Sequence, residues 1–181
     1  QNKKILNIKI LYPNIFENQD VEEVKSLIKN QTINNIERKG KWLIFCLDDY
    51  YLLSHLRMEG KYFFKKSSDS IDKHEHVIFE LDDNTELRYR DTRKFGKMYL
   101  IKKEDIDKIG PLVELGLEPW DDKLTSRYLL DKYKNKRLPI KTVLLDQSII
   151  VGIGNIYADE ILFLCKINPL KKCNLITEEE A

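Results

Sequence analysis

No run of this sequence approaches the roughly 18 consecutive apolar residues that a membrane span needs, and its first residues lack the order of a signal peptide. Both absences point to a cytoplasmic protein with no membrane partner. Cysteine is scarce: Cys46, Cys165 and Cys173 are three in number, far apart and never in a C-x-x-C pair. They make neither a disulfide framework nor a zinc site by themselves, so each reads as a small core or surface residue and no metal ligand is assigned. A strong charge of either sign is missing as well. Lys and Arg total 31 against 30 Asp and Glu, a net charge of +1, which excludes a protein that is basic overall. What is present, 42% hydrophobic and 34% charged residues over 181 positions, suits a soluble globular chain. That length allows one ordinary domain or two small ones with a real core.

The charge is unevenly placed. Between Asn84 and Lys103, Arg88, Arg90, Arg93, Lys94, Lys97, Lys102 and Lys103 face only Glu86 and Asp91 in the count. Between Arg127 and Lys141 the basic residues Arg127, Lys132, Lys134, Lys136, Arg137 and Lys141 meet Asp131 alone. Acidic residues gather instead at 17–23 and 178–180. Two basic stretches on a neutral chain suit a protein that grips a phosphate backbone with one defined face, although ordinary solvated faces would give the same counts.

Periodicity divides the chain. KKILNIKIL alternates polar and apolar residues, and KWLIFCL, YYLLSHL, KYFF, HVIFEL, TELRYR and GKMYLI follow at short spacing between turn signals. One helix interrupts them, DVEEVKSLIKN, with Asp20 as its N-cap and Val21, Val24, Leu27 and Ile28 on one face. Beyond GPLVELGLEPW the periods turn helical in SRYLLDKY, LPIKTVLLDQ and NIYADEILFLC. The expectation is an α+β chain. Residues 1–110 form an antiparallel β-sandwich, residues 111–120 a linker, and residues 121–181 a helical domain. Near the end, Thr177 and Glu180 have the spacing of a capping box that announces a further helix, and the chain starts without methionine almost directly in a strand. Both features suggest a piece of a longer protein.

In VGIGNIYADE, residues 151–160, two glycines precede a helical pattern for which Asn155 reads as the N-cap, with Asp159 and Glu160 in the first turns. Such a turn lets backbone approach another surface closely, and the N–H groups of the helix start form an anion site. The pattern G-x-G-N follows a helix and is not the G-x-G-x-x-G dinucleotide fingerprint, so a nucleotide cofactor is a weak reading. Two other turns carry unusual cargo. HLRMEG presents Met58, and RYRDTRKFG presents Arg93 with Phe95: a cation for exposed base edges and flat apolar groups for insertion into a base stack.

Taken in order, HLRMEG, KHEHV, YRDTRKFG, GPLVELGLEPW and PIKTVLLDQSIIVGIGNIYADE have the succession and approximate spacing found in the formamidopyrimidine-DNA glycosylases. The sequence resembles that family of bacterial base-excision repair enzymes over nearly its whole length. The resemblance implies a β-sandwich joined to a helical domain with a helix-two-turn-helix motif, with damaged double-stranded DNA bound to a monomer in the cleft between them. It implies excision of 8-oxoguanine or ring-opened purines that are flipped out of the stack. On the same footing, Met58, Arg93 and Phe95 fill the void and contact the orphaned base. Lys41 stands at the entrance to the catalytic site, His74 is a DNA-backbone ligand, and His76 is a second candidate in the same segment. Lys136, Arg137 and Lys141 match basic positions near DNA and lesion. Asn155 matches the ligand of a phosphate beside the lesion, with Tyr157 and Glu160 in the same motif.

Three departures stand out, the first being the unusual flanking of Met58 by Arg57 and Glu59. Thr92 occupies a position where the family usually has proline, and Lys94 one where a second arginine is common, which keeps the charge but loses the bidentate fork. The nucleophile that the resemblance implies, the secondary amine of an N-terminal proline beside a glutamate, is not in the sequence. The zinc-finger cysteines are expected beyond Ala181, so the chain as given should hold no cofactor and should not excise bases. Rival expectations are an endonuclease VIII-like enzyme for oxidised pyrimidines, a non-catalytic sensor of distorted duplexes, and a purely structural protein.

Overall fold

Alternation with a period of two builds the first part of the chain, because successive side chains of a strand point to opposite faces. The computed structural model describes residues 2–17 and 19–181; Gln1, the start of the expected first domain, and Asn18 lie outside the described residues. Its strands are β1 (Lys3–Ile10), β2 (Thr32–Ile33), β3 (Asn35–Lys39), β4 (Trp42–Cys46), β5 (Tyr50–His55), β6 (Lys61–Lys66), β7 (Glu75–Leu81), β8 (Thr85–Arg90) and β9 (Lys97–Lys102). They form a five-stranded sheet in the order β2-β1-β7-β8-β6 and a four-stranded sheet in the order β3-β4-β5-β9, with antiparallel neighbours.

The two sheets share one core, in which Ile5, Ile8, Val77, Phe79 and Tyr89 of the first meet Phe45, Leu52, Met98 and Leu100 of the second. This is the expected β-sandwich. Helix α1 (Val21–Ile28) joins the same core through Val24 and Ile28, and Asp20 caps it by accepting from the Glu23 N–H at 2.8 Å. Strand β3 is absent from the sequence expectation. Its segment NIERK is exposed along most of its length, so it carries no buried alternation to read, and charged residues suit an edge strand.

Central strand β8 has a different peculiarity. Leu87 and Tyr89 face the shared core, while Glu86 and Arg88 are buried on the opposite face. Arg88 therefore does not belong to a basic surface, a correction to the charge count. It donates to Glu86 and Glu75 at 2.7 and 2.9 Å, and to the carbonyls of Ser70, Asp69 and Lys66 at 2.9, 2.8 and 3.3 Å. The 66–70 loop is thus folded over the outer face of the sheet by one guanidinium.

Residues Gln1–Gly110 and Pro111–Ala181 form two compact units. In the second lie α2 (Ser126–Tyr133), α3 (Ile140–Leu144) and α4 (Asn155–Leu164). Their apolar faces meet in a core of Tyr133, Ile140, Val143, Ile150, Ile153, Ala158, Leu162 and Ile176. Helix α3 is shorter than its sequence period suggests, because Asp146 leaves the helix to accept from the Ser148 N–H and hydroxyl at 3.0 and 2.6 Å. The 111–120 segment, read as a linker from composition, is hydrogen-bonded within this unit: Gly116 and Leu117 donate to Gln147 and Ile149, and Leu117 accepts from Val151. At the end of the chain the Thr177 N–H donates to Glu180 Oε2 at 2.9 Å, half of the expected capping box.

Candidate nucleic-acid interface

Strand pairing decides where the two unusual turns lie. Residue His55 at the end of β5 pairs with Lys97 at the start of β9, and Lys61 at the start of β6 pairs with Arg90 at the end of β8. Both the β5–β6 turn and the β8–β9 turn therefore cross from one sheet to the other at the same end of the sandwich. Two segments 35 residues apart in the chain become neighbours.

The cargo of these turns is assembled at their tips. Met58 is 71% exposed and Phe95 47% exposed, two large apolar side chains displayed on neighbouring turns. Arg93 lies between them, with Nη1 2.9 Å from the Met58 sulfur and its guanidinium 4.5 Å from the centre of the Phe95 ring. Lys94 turns the other way, its ammonium 4.9 Å above the Tyr12 ring. Arg57 and Lys94, beside the displayed residues, have φ of +52° and +57°. A left-handed non-glycine residue costs about 1–2 kcal/mol each, so the surrounding structure must over-determine these turns.

Lys41 is exposed at the start of the hairpin arm that enters β4; the protein packed around it and then the Arg57 charge hold its ammonium below the ordinary lysine value. His55 is pushed down to about 4, first by burial and then by Arg57 and Lys41. The Arg57 N–H donates to His55 Nδ1 at 3.0 Å, which leaves the ring proton of this neutral imidazole on Nε2. Sequence reasoning passed over His55, although its place two residues before Arg57 in HLRMEG was a usable signal. His74 is half-buried, with its N–H donating to Asp72 Oδ1 at 2.8 Å. Its neighbour His76 is buried and bound through Nε2 to the Asp91 carbonyl at 2.7 Å, which accounts for it structurally.

In the second unit, Lys136 pairs with Asp146 at 3.0 Å and Lys141 with Asp159 at 2.7 Å, whereas Arg137 is exposed. Gln147, another residue absent from the sequence expectation, shapes the turn between α3 and α4. Its amide nitrogen donates to the carbonyls of Leu145 and Ile153 at 3.0 and 2.9 Å, and its oxygen accepts from the Gly152 N–H at 2.9 Å. The N-cap of α4 is Gly154, not Asn155, and no side chain caps the helix. Asn155 is its first residue, exposed, and the first turn holds no acid. Asp159 and Glu160 fall in the second turn, so the positive end of the helix dipole meets no carboxylate of its own first turn. Tyr157 and Glu160 are exposed on the same helix.

As the first helical residue and not the cap, Asn155 makes little difference to stability. A capping asparagine loses about 0.5–2 kcal/mol on replacement by alanine, but here Asn155→Ala should stay within about 0.5 kcal/mol of the parent. Urea unfolding checks this, and Asp20→Ala, which removes a real cap, serves as the positive control.

Among the described residues, no group of three or more His, Cys, Asp or Glu side chains could hold a metal ion. None of the described helices is long and apolar enough to cross a membrane. Cys46 and Cys173 are buried and Cys165 is exposed, all as free thiols.

Comparison with known proteins gives the arrangement a family. The model of the formamidopyrimidine-DNA glycosylase N-terminal domain matches residues 1–98, and that of the formamidopyrimidine-DNA glycosylase H2TH domain matches residues 115–181. A formamidopyrimidine-DNA glycosylase of Oceanobacillus iheyensis is 48% identical over 182 residues, covering 99% of this chain and 64% of the relative. The chain therefore spans less than two thirds of that relative's length. The solved complex of Lactococcus lactis Fpg with abasic-site DNA superposes with a TM-score of 0.91 at 36% identity, covering 99% of this chain and 66% of that one. The complex of the same protein with Fapy-dG DNA has the same TM-score and identity and covers 99% and 67%. The two family models together match most of the chain, and the chain belongs to the formamidopyrimidine-DNA glycosylase family.

Proposed function

We propose that the full-length protein is a DNA glycosylase with AP lyase activity that removes oxidised or ring-opened purines, 8-oxoguanine and formamidopyrimidines, from duplex DNA. The observation that carries this reading is the grouping of Met58, Arg93 and Phe95 at the tips of two adjacent turns. Extruding a base costs a few kcal/mol in lost stacking and pairing, and the protein must replace what the duplex gives up. Met58 and Phe95 supply apolar and flat surface for the void, and Arg93 supplies donors for the edge of the base left behind.

The other residues fit around that step. His74 and Lys41 would contact the backbone of the first unit's DNA, and Arg137, Lys136 and Lys141 would neutralise phosphates along the second. At the start of α4, free N–H groups, an exposed Asn155 amide and no acid in the first turn offer an anion site for the phosphate beside the lesion. Tyr157 would flank it. The excision chemistry would come from the secondary amine of an N-terminal proline, which is not among these 181 residues. That amine attacks the sugar C1′, the base leaves, and strand cleavage follows by elimination from the Schiff base. Zinc would be held in the part of the relatives that this chain does not span. The place of action would be the bacterial cytoplasm, on nucleoid DNA.

Borohydride trapping of the full-length protein on duplexes containing 8-oxoguanine or thymine glycol tests the proposal. A covalent adduct that forms faster on the purine lesion is the expected result. An adduct on thymine glycol alone would move the protein to the pyrimidine branch, and no adduct on either would leave a non-catalytic binder of damaged DNA.

A further inference from the structure

We propose that Asp91 is the positioning residue of the wedge: together with the Tyr89 hydroxyl it sets the spacing of the Met58 turn and the Arg93–Phe95 turn, so that both enter a void in duplex DNA as one body. The inference rests on reading Met58, Arg93 and Phe95 as the void-filling side chains.

Asp91 is 1% exposed, so it cannot itself touch DNA. A buried carboxylate is costly unless every lone pair is occupied. Here the donors come from the displayed turn: the Arg93 N–H to Oδ1 at 3.0 Å, and the Phe95 and Gly96 N–H groups to Oδ2, both at 2.9 Å. A fourth donor, the Tyr89 hydroxyl, reaches Oδ2 at 3.2 Å. Three backbone N–H groups of one six-residue turn thus converge on one side chain, which fixes the path of the turn whatever Arg93 and Phe95 do at its surface.

The main chain of Asp91 extends this control. Its N–H donates to the His74 carbonyl at 3.0 Å, and its carbonyl binds His76 Nε2 at 2.7 Å. The candidate phosphate ligand His74 and the candidate wedge are therefore held by the same residue. Tyr89 reaches the second turn. A Cβ placed on Gly60, two residues after Met58, would sit 2.5 Å from the Tyr89 hydroxyl oxygen, and one on Gly96 would sit 1.8 Å from it. Both turns close directly onto one phenol, which in turn hydrogen-bonds to Asp91. The pair is a spacer with a fixed length, and the strained backbone of Arg57 and Lys94 shows that the turns are held where they would not otherwise rest.

A double-mutant cycle in the full-length protein separates this from a general structural role. The probes are a duplex with a tetrahydrofuran gap opposite cytosine, the intact duplex, and a gapped duplex with 2-aminopurine as the orphaned base, whose emission reports stacking. Asp91→Asn turns an amide NH2 toward the backbone donors. It should cut the preference for gapped over intact DNA by about tenfold, the scale of a lost hydrogen bond to a charged group. Affinity for intact duplex, which offers no void to fill, should fall far less than that, and 2-aminopurine should brighten at saturation. In a Phe95→Ala background the same change should cost clearly less than in the parent, since part of the wedge that Asp91 positions is then already gone. Equal losses on gapped and intact DNA, or an undiminished loss in the Phe95→Ala background, would overturn the proposal. Phe95→Ala alone with wild-type preference would instead sink the wedge reading beneath it. Should Asp91→Asn not fold, Tyr89→Phe removes only the hydroxyl, and the same cycle decides with a smaller loss in the same direction.

Discussion

Replacing Arg88 with methionine should lower the unfolding free energy by about 3–5 kcal/mol, because two carboxylates would stay buried without their cation. The side chains of Arg88, Glu75 and Glu86 are 1%, 0% and 4% exposed, so water cannot take over the role of the guanidinium. Lys65 reaches Glu75 Oε1 at 2.7 Å and would compensate one carboxylate in part, whereas Lys9 is paired with Glu80 and acts on Glu86 only through its field. Three loop carbonyls, those of Lys66, Asp69 and Ser70, would lose their donor in the same step. Chemical unfolding of the full-length protein measures the loss. If the cost is that of uncompensated charge, adding Glu75→Gln and Glu86→Gln to Arg88→Met should recover a good part of it. A triple variant less stable than the single one would show that the loop carbonyls dominate.

The same network has a pH signature. Burial pushes the Glu75 carboxyl up, but the hydrogen bonds from Lys65 and Arg88 outweigh it and hold the group below the ordinary glutamate value. Its contribution to stability is therefore complete above the ordinary glutamate range and drains away as pH falls through the lowered folded value.

The second large effect is expected at Gly96. A methyl group there would lie 1.8 Å from the Tyr89 hydroxyl oxygen and 2.8 Å from the ring carbon that bears it. Tyr89 is buried between Tyr62, with ring centres 5.3 Å apart, and the turn itself, so it has no free direction in which to withdraw. Overpacking of this kind typically costs about 1–3 kcal/mol and sometimes more. Gly96→Ala should thus lower the melting temperature by several degrees, about 2–4 °C per kcal/mol for a chain of this size, and should impair gap recognition beyond what stability explains, because the turn that carries Phe95 must move. Combining it with Tyr89→Phe removes the nearest atom and should restore part of both. If Gly96→Ala alone melted like the parent, the contact between turn and phenol would be looser than the geometry requires.

The sequence made the sandwich legible because β1, β4, β5 and β7 to β9 bury one face or both and therefore carry a hydrophobic period. Strand β3 escaped because an exposed edge strand has no such constraint. The display residues were legible for the opposite reason: Met58, Arg93 and Phe95 break the alternation around them. What could not be read was the machinery underneath. Asp91, two residues before Arg93, forms an Asx-type turn that the DTRKFG segment hints at, but its link to Tyr89 and through it to Gly60 depends on a tertiary approach. Likewise the capping role expected of Asn155 fell to Gly154, because the helix begins one residue earlier than a polar-residue signal suggests. Arg88 reads as surface charge, since nothing in TELRYR reveals that the 66–70 loop covers its outer face.

The ion pairs of Lys136 with Asp146 and of Lys141 with Asp159 carry a consequence for how DNA would be gripped. Each lysine already has a tethered counterion of its own. A phosphate that takes over Lys136 or Lys141 displaces a carboxylate that remains on the protein, where an unpaired lysine would need no such exchange. The carboxylate left behind would stay near the DNA and repel it, so these two lysines would add less net attraction than their charge suggests. Non-specific binding is weakened most by such a device, since only a backbone that fits the site closely can outcompete the resident acid. In that sense Asp146 and Asp159 would act as discriminators, keeping the basic stretch of the second unit from holding any duplex it meets.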